Sequence, residues 1–168
     1  MSENITIRPA GEHETHLVLQ FVRELAEYEH LEAQVIATEA GLRRALFGPR
    51  PYAEVIFACV AGEPVGFALF FHNFSTFLGQ PGIYLEDLFV RPANRGQGLG
   101  RRLLERLAAL AVQRECGRLE WAVLDWNEPS IGFYRSLGAV PLDEWTVFRL
   151  TGDALEALAR GAGQRSGH

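Results

Sequence analysis

The stretch IYLEDLFVRPANRGQGLGRRLLERLAAL (Ile83–Leu110) constrains the fold more than any other part of the chain. It reads as a strand, apolar except for two adjacent acids, then a short loop, then a strong amphipathic helix. The helix doorway, RGQGLG (Arg95–Gly100), holds three glycines. Glycine costs roughly 1 kcal/mol per helical residue against alanine, so their presence needs a reason. A helix N-terminus presents unpaired N–H groups and the positive end of the dipole. Bare backbone lets phosphate oxygens approach those donors. The functional reading is a pyrophosphate cradle; the other reading is a turn and helix start that simply tolerates glycine. The spacing narrows the kinds of cradle. No Gly-Lys-Ser/Thr follows, as a P-loop requires, and Arg101 stands where the third glycine of a dinucleotide fingerprint belongs.

The rest of the chain supplies a sheet for this unit to join. Ile5–Ala10 alternates and reads as a first strand. From Glu12 to His30, Leu17, Phe21, Leu25 and Tyr28 form one apolar stripe of a helix. Thr38 caps a second helix, with Leu42, Ala45 and Leu46 on one face and Gly48, Pro49 and Pro51 closing it. Glu54–Ala61 and Val65–His72 read as a hairpin across Gly62–Pro64, followed by a polar loop from Asn73 to Gly82. The glycine-led helix buries Leu99, Leu103, Leu107 and Ala111 and ends at Gly117. Leu119–Leu124 reads as a strand, Asn127–Ser130 opens a short helix ended by Gly138, and Trp145–Leu150 reads as the last strand. Leu155 and Leu158 suggest a terminal helix, with residues 161–168 a frayed tail. The order predicts a mixed α/β (α+β) fold: a mostly antiparallel central sheet flanked by helices, with one right-handed crossover. Residues 1–168 form a single domain on this reading.

Bulk properties bound the function. A chain of 168 residues, 48 % hydrophobic and 22 % charged, suits one globular domain with a sizeable core. A net charge of −5 argues against general nucleic-acid affinity. No apolar run approaches the roughly 20 residues of a membrane span, and MSENITIRP lacks the pattern of a signal peptide. Cys59 and Cys116, like the five histidines, show no metal-ligand spacing, so no metal is expected. Reduced thiols and the absence of a leader imply a cytoplasmic protein.

LEDLFVRPANRGQGLGRRLL resembles the acetyl-CoA-binding segment of the GNAT superfamily of N-acetyltransferases, and AVLDWNEPSIGFYRSLGA (Ala122–Ala139) resembles the second half of that site. Together with ELAEYEHLE near the start, these segments resemble the diamine branch, the spermidine/spermine and thialysine acetyltransferases. The resemblance implies a GNAT fold that binds acetyl-CoA, with the pyrophosphate held by the amides of Gly96, Gln97, Gly98, Leu99 and Gly100. Arg95 would add charge near the phosphates, and Arg101 would lie at the helix start. Backbone groups of Leu88, Phe89 and Val90 would pair with the pantetheine arm as an added strand does. Asn127 would hydrogen-bond that arm, with Pro129 and Ser130 beside it. A homodimer is implied by the resemblance alone.

Acetyl transfer to an amine faces a protonation problem. An alkylammonium with a pKa near 10.4 is free amine in only about one part in a few thousand at pH 7. A base, or a water chain to one, is therefore expected. Glu86 and Asp87 are the conspicuous candidates, since unpaired carboxylates in a buried strand are costly. Consecutive strand residues face opposite ways, so only one faces the substrate unless a bulge intervenes. The resemblance gives Glu86 the role of water-mediated base and substrate contact, and Tyr134 that of the acid that protonates the departing thiolate. Tyr28, Glu29 and Asp87 match the substrate side of the diamine branch. In NFSTFLG (Asn73–Gly79), Ser75 stands where polyamine enzymes carry an aspartate, which implies a short diamine or lysine-like acceptor. A protein amino-terminus or an antibiotic as acceptor, and a non-catalytic acyl-CoA-binding regulatory module, are the competing readings.

Overall fold

Alternation of large apolar side chains through the middle of the chain produces a five-stranded sheet. In the computed structural model, which describes residues 4–164, contacts divide the chain into one compact unit ending at Ala122 and a second starting at Val123. The first unit contains β1 (Ile5–Pro9), β2 (Glu54–Val60), β3 (Glu63–Ser75), β4 (Gln80–Val90) and β5 (Leu119–Trp121), side by side in chain order. The first four run antiparallel; β5 lies parallel to β4 and is reached through α3 (Leu99–Gln113). Between β1 and β2 come α1 (Thr15–Tyr28) and α2 (Glu39–Phe47). This is the expected mixed α/β architecture with a single parallel connection.

Two apolar layers hold the sheet. On one face Val18 and Phe21 of α1 and Leu46 of α2 pack with Val55, Phe57, Cys59, Phe67 and Phe89. The rings of Phe21 and Phe67 stack at 5.4 Å. Ile56 and Ala68 alternate with those strand residues and so point the other way. There α3 buries Leu99, Leu103, Leu104, Leu107, Leu110 and Ala111. Helix starts follow their caps: Thr38 Oγ1 accepts the N–H of Gly41 at 3.1 Å. Ahead of α1, Glu14 accepts the Gly11 N–H at 3.0 Å and takes a two-pronged ion pair from Arg8 at 2.8 Å on each oxygen. That guanidinium holds the Glu14 carboxyl at about 2.

The hairpin is longer than its composition suggests. Residues 73–75 and 80–82, expected in a loop, continue the ladder: Asn73 pairs with Gly82 and Ser75 with Gln80. The polar side chains there carry no strand pattern, yet a backbone ladder does not need apolar ones. Ser75 closes the turn, its Oγ accepting the Leu78 N–H at 3.2 Å. The strand expected over Leu119–Leu124 stops at Trp121, which lies opposite Leu85. Beyond Leu85, β4 bulges and the straight ladder ends.

The second unit holds α4 (Glu128–Ser136) and α5 (Gly152–Gln164). Asn127 caps α4, its side chain accepting the Ser130 N–H at 3.4 Å. The helix closes as a Schellman turn, with Gly138 N–H to Arg135 O and Ala139 N–H to Tyr134 O. The expected last strand, Trp145–Leu150, is not a strand: alternation alone forms no ladder without a neighbour, and Val147 and Phe148 stand 90 % and 93 % exposed. The terminal helix extends through residues 161–164, expected to fray; residues 165–168 lie outside those described.

Candidate active site

The glycine doorway behaves as bare backbone in need of an occupant. Gly96 and Gly98 have φ of 81° and 77°, a left-handed geometry that side chains with a Cβ rarely adopt. Gly100 has no such constraint, and a Cβ added at any of the three would meet nothing within 4 Å. Internal packing therefore does not demand glycine at Gly100. Among the described residues, no N–H from Gly96 to Arg101 donates to a backbone carbonyl. Open space lined by unsatisfied donors at a helix N-terminus fits a pyrophosphate.

The bulge changes which residues of β4 share a face. Leu69 pairs with Asp87 and Phe70 with Leu85, leaving Glu86 without a partner on β3. Because Phe71 pairs with Tyr84 and Leu69 with Asp87, Tyr84 and Asp87 share a face despite their odd spacing. It is the α1 face, where Leu69 packs against the Phe21 cluster. The β4–β5 ladder stops at Leu85, and among the described residues no strand pairs with Glu86–Val90 on the β5 side. An open strand edge thus runs from the acids toward the glycine doorway, and it includes Leu88, Phe89 and Val90.

Burial separates the acids. Glu86 is exposed and Asp87 half-buried. Desolvation, then the charges of Glu86 and Glu29, push the Asp87 carboxyl up to about 6. Desolvation also raises the Glu29 carboxyl. The Tyr84 hydroxyl rises through desolvation and the charges of Glu86 and Glu120. Tyr84 is the residue that sequence reasoning missed, since the bulge that brings it beside the acids leaves no mark in the alternation.

Arg95 links the cradle to α1. Its Nε donates to Val90 O at 2.9 Å, and its guanidinium lies 4.8 Å from the Tyr28 ring and 5.6 Å from the Phe89 ring. It braces the end of α1 against the end of β4. Arg101 pairs with Glu105 one turn along α3, at 2.9 Å. The first unit therefore gathers Tyr28, Glu29, Glu86, Asp87 and Arg95. Asn127, Pro129, Ser130 and Tyr134 belong to the second. There Asn127 is buried as the α4 cap, Pro129 sits in the first turn, and Tyr134 is half-buried with its ring 5.7 Å from Phe133. Among the described residues no cluster of three metal-ligating side chains exists, and no helix is long and apolar enough to cross a membrane.

Residues 17–139 match the Acetyltransferase (GNAT) family. The chain is 40 % identical to a thialysine N-epsilon-acetyltransferase of Bos taurus over 166 residues, covering 92 % of this chain and 97 % of that protein. It is 32 % identical to an L-ornithine N5-acetyltransferase of Arabidopsis thaliana, covering 90 % and 86 %. Among solved structures, an integron cassette protein from V. cholerae superposes with a TM-score of 0.78 at 28 % identity, covering 93 % and 98 %.

Proposed function

The chain belongs to the GNAT family of acetyltransferases, and from that premise we propose that it acetylates a primary amine of a short diamine or lysine-like amino acid by direct attack in a ternary complex. It is an N-acetyltransferase, and the family's acetyl donor is acetyl-CoA, which supplies the acetyl group as an activated thioester. The observation that carries the acceptor reading is the half-buried Asp87 carboxylate of β4, on the same face as Tyr84 and under the charges of Glu86 on its own strand and Glu29 at the end of α1.

The chain's own residues divide the work. The amides of Gly96, Gln97, Gly98, Leu99 and Gly100 would hold the pyrophosphate of the donor, with Arg101 at the helix start. The open edge at Leu88, Phe89 and Val90 would pair with its pantetheine arm, and an amide there would face the thioester oxygen. Asn127, Pro129 and Ser130 would line the same arm. Arg95 would fix the seam between cradle and acceptor side through Tyr28 and Phe89. The carboxylates of Glu86 and Asp87 would draw in the substrate cation, one of them taking its proton, while Tyr28 and Glu29 would hold its distal end. Tyr134, whose ordinary phenol pKa near 10 keeps it protonated at pH 7, would protonate the thiolate.

Several features support the narrower claims. Relatives named for thialysine and ornithine acetylation support an amino-acid acceptor carrying a side-chain amine. By the family resemblance Ser75 stands where polyamine enzymes carry an aspartate, so an acid that a long polycation would use is missing. The whole of 1–168 would serve as one catalytic domain. Exposed Val140, Leu142, Trp145, Val147 and Phe148 support a homodimer in which a second copy covers this segment. Free Cys59 and Cys116 fit a cytoplasmic setting. The test is the specificity constant for thialysine, lysine, ornithine, putrescine, spermidine and spermine at one salt concentration. The amino acids should lead; a tenfold lead for spermidine or spermine, about 1.4 kcal/mol, rejects the reading.

A further inference from the structure

Glu86 and Asp87 are neighbours in sequence but occupy different environments, and only one of them suits proton removal. Asp87 sits in register with Leu69 on the α1 face and is half-buried. The charged groups that act on it are Glu29 at the end of α1 and Glu86 on its own strand, both acidic. Its β3 neighbour is the apolar Leu69. Among the described residues no cation pairs with it and no hydrogen bond reaches its carboxylate. Glu86, the unpaired residue of the bulge, is exposed to water.

We infer that Asp87 is the carboxylate that takes the proton from the attacking ammonium, and that Glu86 is the outer contact that draws the cation in. The inference rests on the acetyl-transfer reading and divides a role that the family resemblance assigns to Glu86 alone. A desolvated carboxylate among other acids has the most to gain from a cation beside it, so an ammonium would seat there first. The same surroundings make it a better base than a solvated acid: a carboxyl at about 6 rather than 3.8 holds a proton roughly a hundredfold more tightly. It is still mostly ionised at pH 7 and so ready to accept. In the step, one N–H bond of the ammonium breaks and its electron pair stays on nitrogen. The proton goes to a carboxylate oxygen of Asp87, which becomes a neutral acid. Nitrogen then attacks the thioester carbon and the C–S bond breaks with its electrons on sulfur; Tyr134 would protonate that sulfur, and the second N–H proton, shed by the acylated nitrogen as the neutral amide forms, would pass through water to restore the Tyr134 hydroxyl. Asp87 returns its proton to water after the amide leaves.

The experiment measures kcat and kcat/KM for thialysine from pH 5 to 9, at saturating acetyl-CoA, for wild type, Asp87→Asn and Glu86→Gln. Wild type should lose kcat/KM tenfold per pH unit below a break near 6. Asp87→Asn should lower kcat a hundredfold or more and abolish that break. Glu86→Gln should raise KM about tenfold, hold kcat within threefold and keep the break. Loss of the break in Glu86→Gln with its retention in Asp87→Asn overturns the inference. A second measurement does not depend on turnover. A carboxyl whose pKa is raised by folding favours the folded state below its unfolded value, and that contribution is lost as pH rises through about 6. Asp87→Asn should therefore melt higher than wild type at pH 7.5 and no higher at pH 4. Melting lower at both values makes Asp87 a structural residue and also overturns the inference. Wild type inactive toward every amine in the panel would instead defeat the functional reading beneath it, a result separate from either outcome.

Discussion

At the scale of single residues, the cradle and the acid make opposite kinetic predictions. Gly98 adopts φ 77° and faces open space. A valine there would be strained by roughly 1–2 kcal/mol and would put a branched side chain where phosphate oxygens must sit. Gly98→Val should raise the KM for acetyl-CoA at least tenfold; an unchanged KM in a folded variant contradicts the cradle. Tyr134→Phe removes only a hydroxyl. It should lower kcat about a hundredfold, within the usual range for a lost general acid, with acetyl-CoA affinity retained by calorimetry. Normal turnover would leave Tyr134 as a packing residue beside Phe133.

At the scale of elements, the start of α1 is where acid should act first. Glu14 is buried, capped by the Gly11 amide and gripped by Arg8. Its carboxyl lies at about 2 against an ordinary 4.5. A lowered folded pKa stabilises fully above the unfolded value and is lost as pH falls from about 4.5 toward 2. Glu14→Gln should thus unfold at lower urea than wild type at pH 7, and the gap should narrow by pH 3. A constant gap would mean that the ion pair contributes nothing specific. The same level explains what was legible in the sequence. The α1 and α3 stripes, the Thr38 cap and the Gly138 stop could be read because each rests on near neighbours in the chain. The bulge at Glu86 could not, because it is a mismatch between two strands and the residues of one strand do not record it. The hairpin arms at Asn73–Ser75 and Gln80–Gly82 were hidden for a related reason: their ladder is backbone, and their side chains read as a loop. Trp145–Leu150 failed in the opposite direction, carrying a strand's pattern with no strand beside it. In the site, the glycines and acids were visible as residue types, but the seating of Arg95 on Tyr28 was not, since those two residues lie far apart in sequence.

At the scale of the whole molecule, the exposed apolar side chains of Val140, Leu142, Trp145, Val147 and Phe148 underlie the proposed dimer. Burying one phenylalanine is worth about 1.5–3 kcal/mol, so a second copy covering Trp145, Val147 and Phe148 would gain substantially. Light scattering at micromolar concentration should give twice the 18.7 kDa chain mass, and Val147→Asp with Phe148→Asp should halve it. A wild-type monomer rejects the dimer. The unpaired side of β4 from Glu86 to Val90 has a bearing on handling and survival as well as on catalysis. An uncovered strand edge is a template on which other chains can stack. By occupying that edge, the acetyl donor would act as a guardian of colloidal stability. Purified protein warmed without acetyl-CoA should turn cloudy sooner than protein warmed with it, and equal amounts of free pantetheine should protect in part.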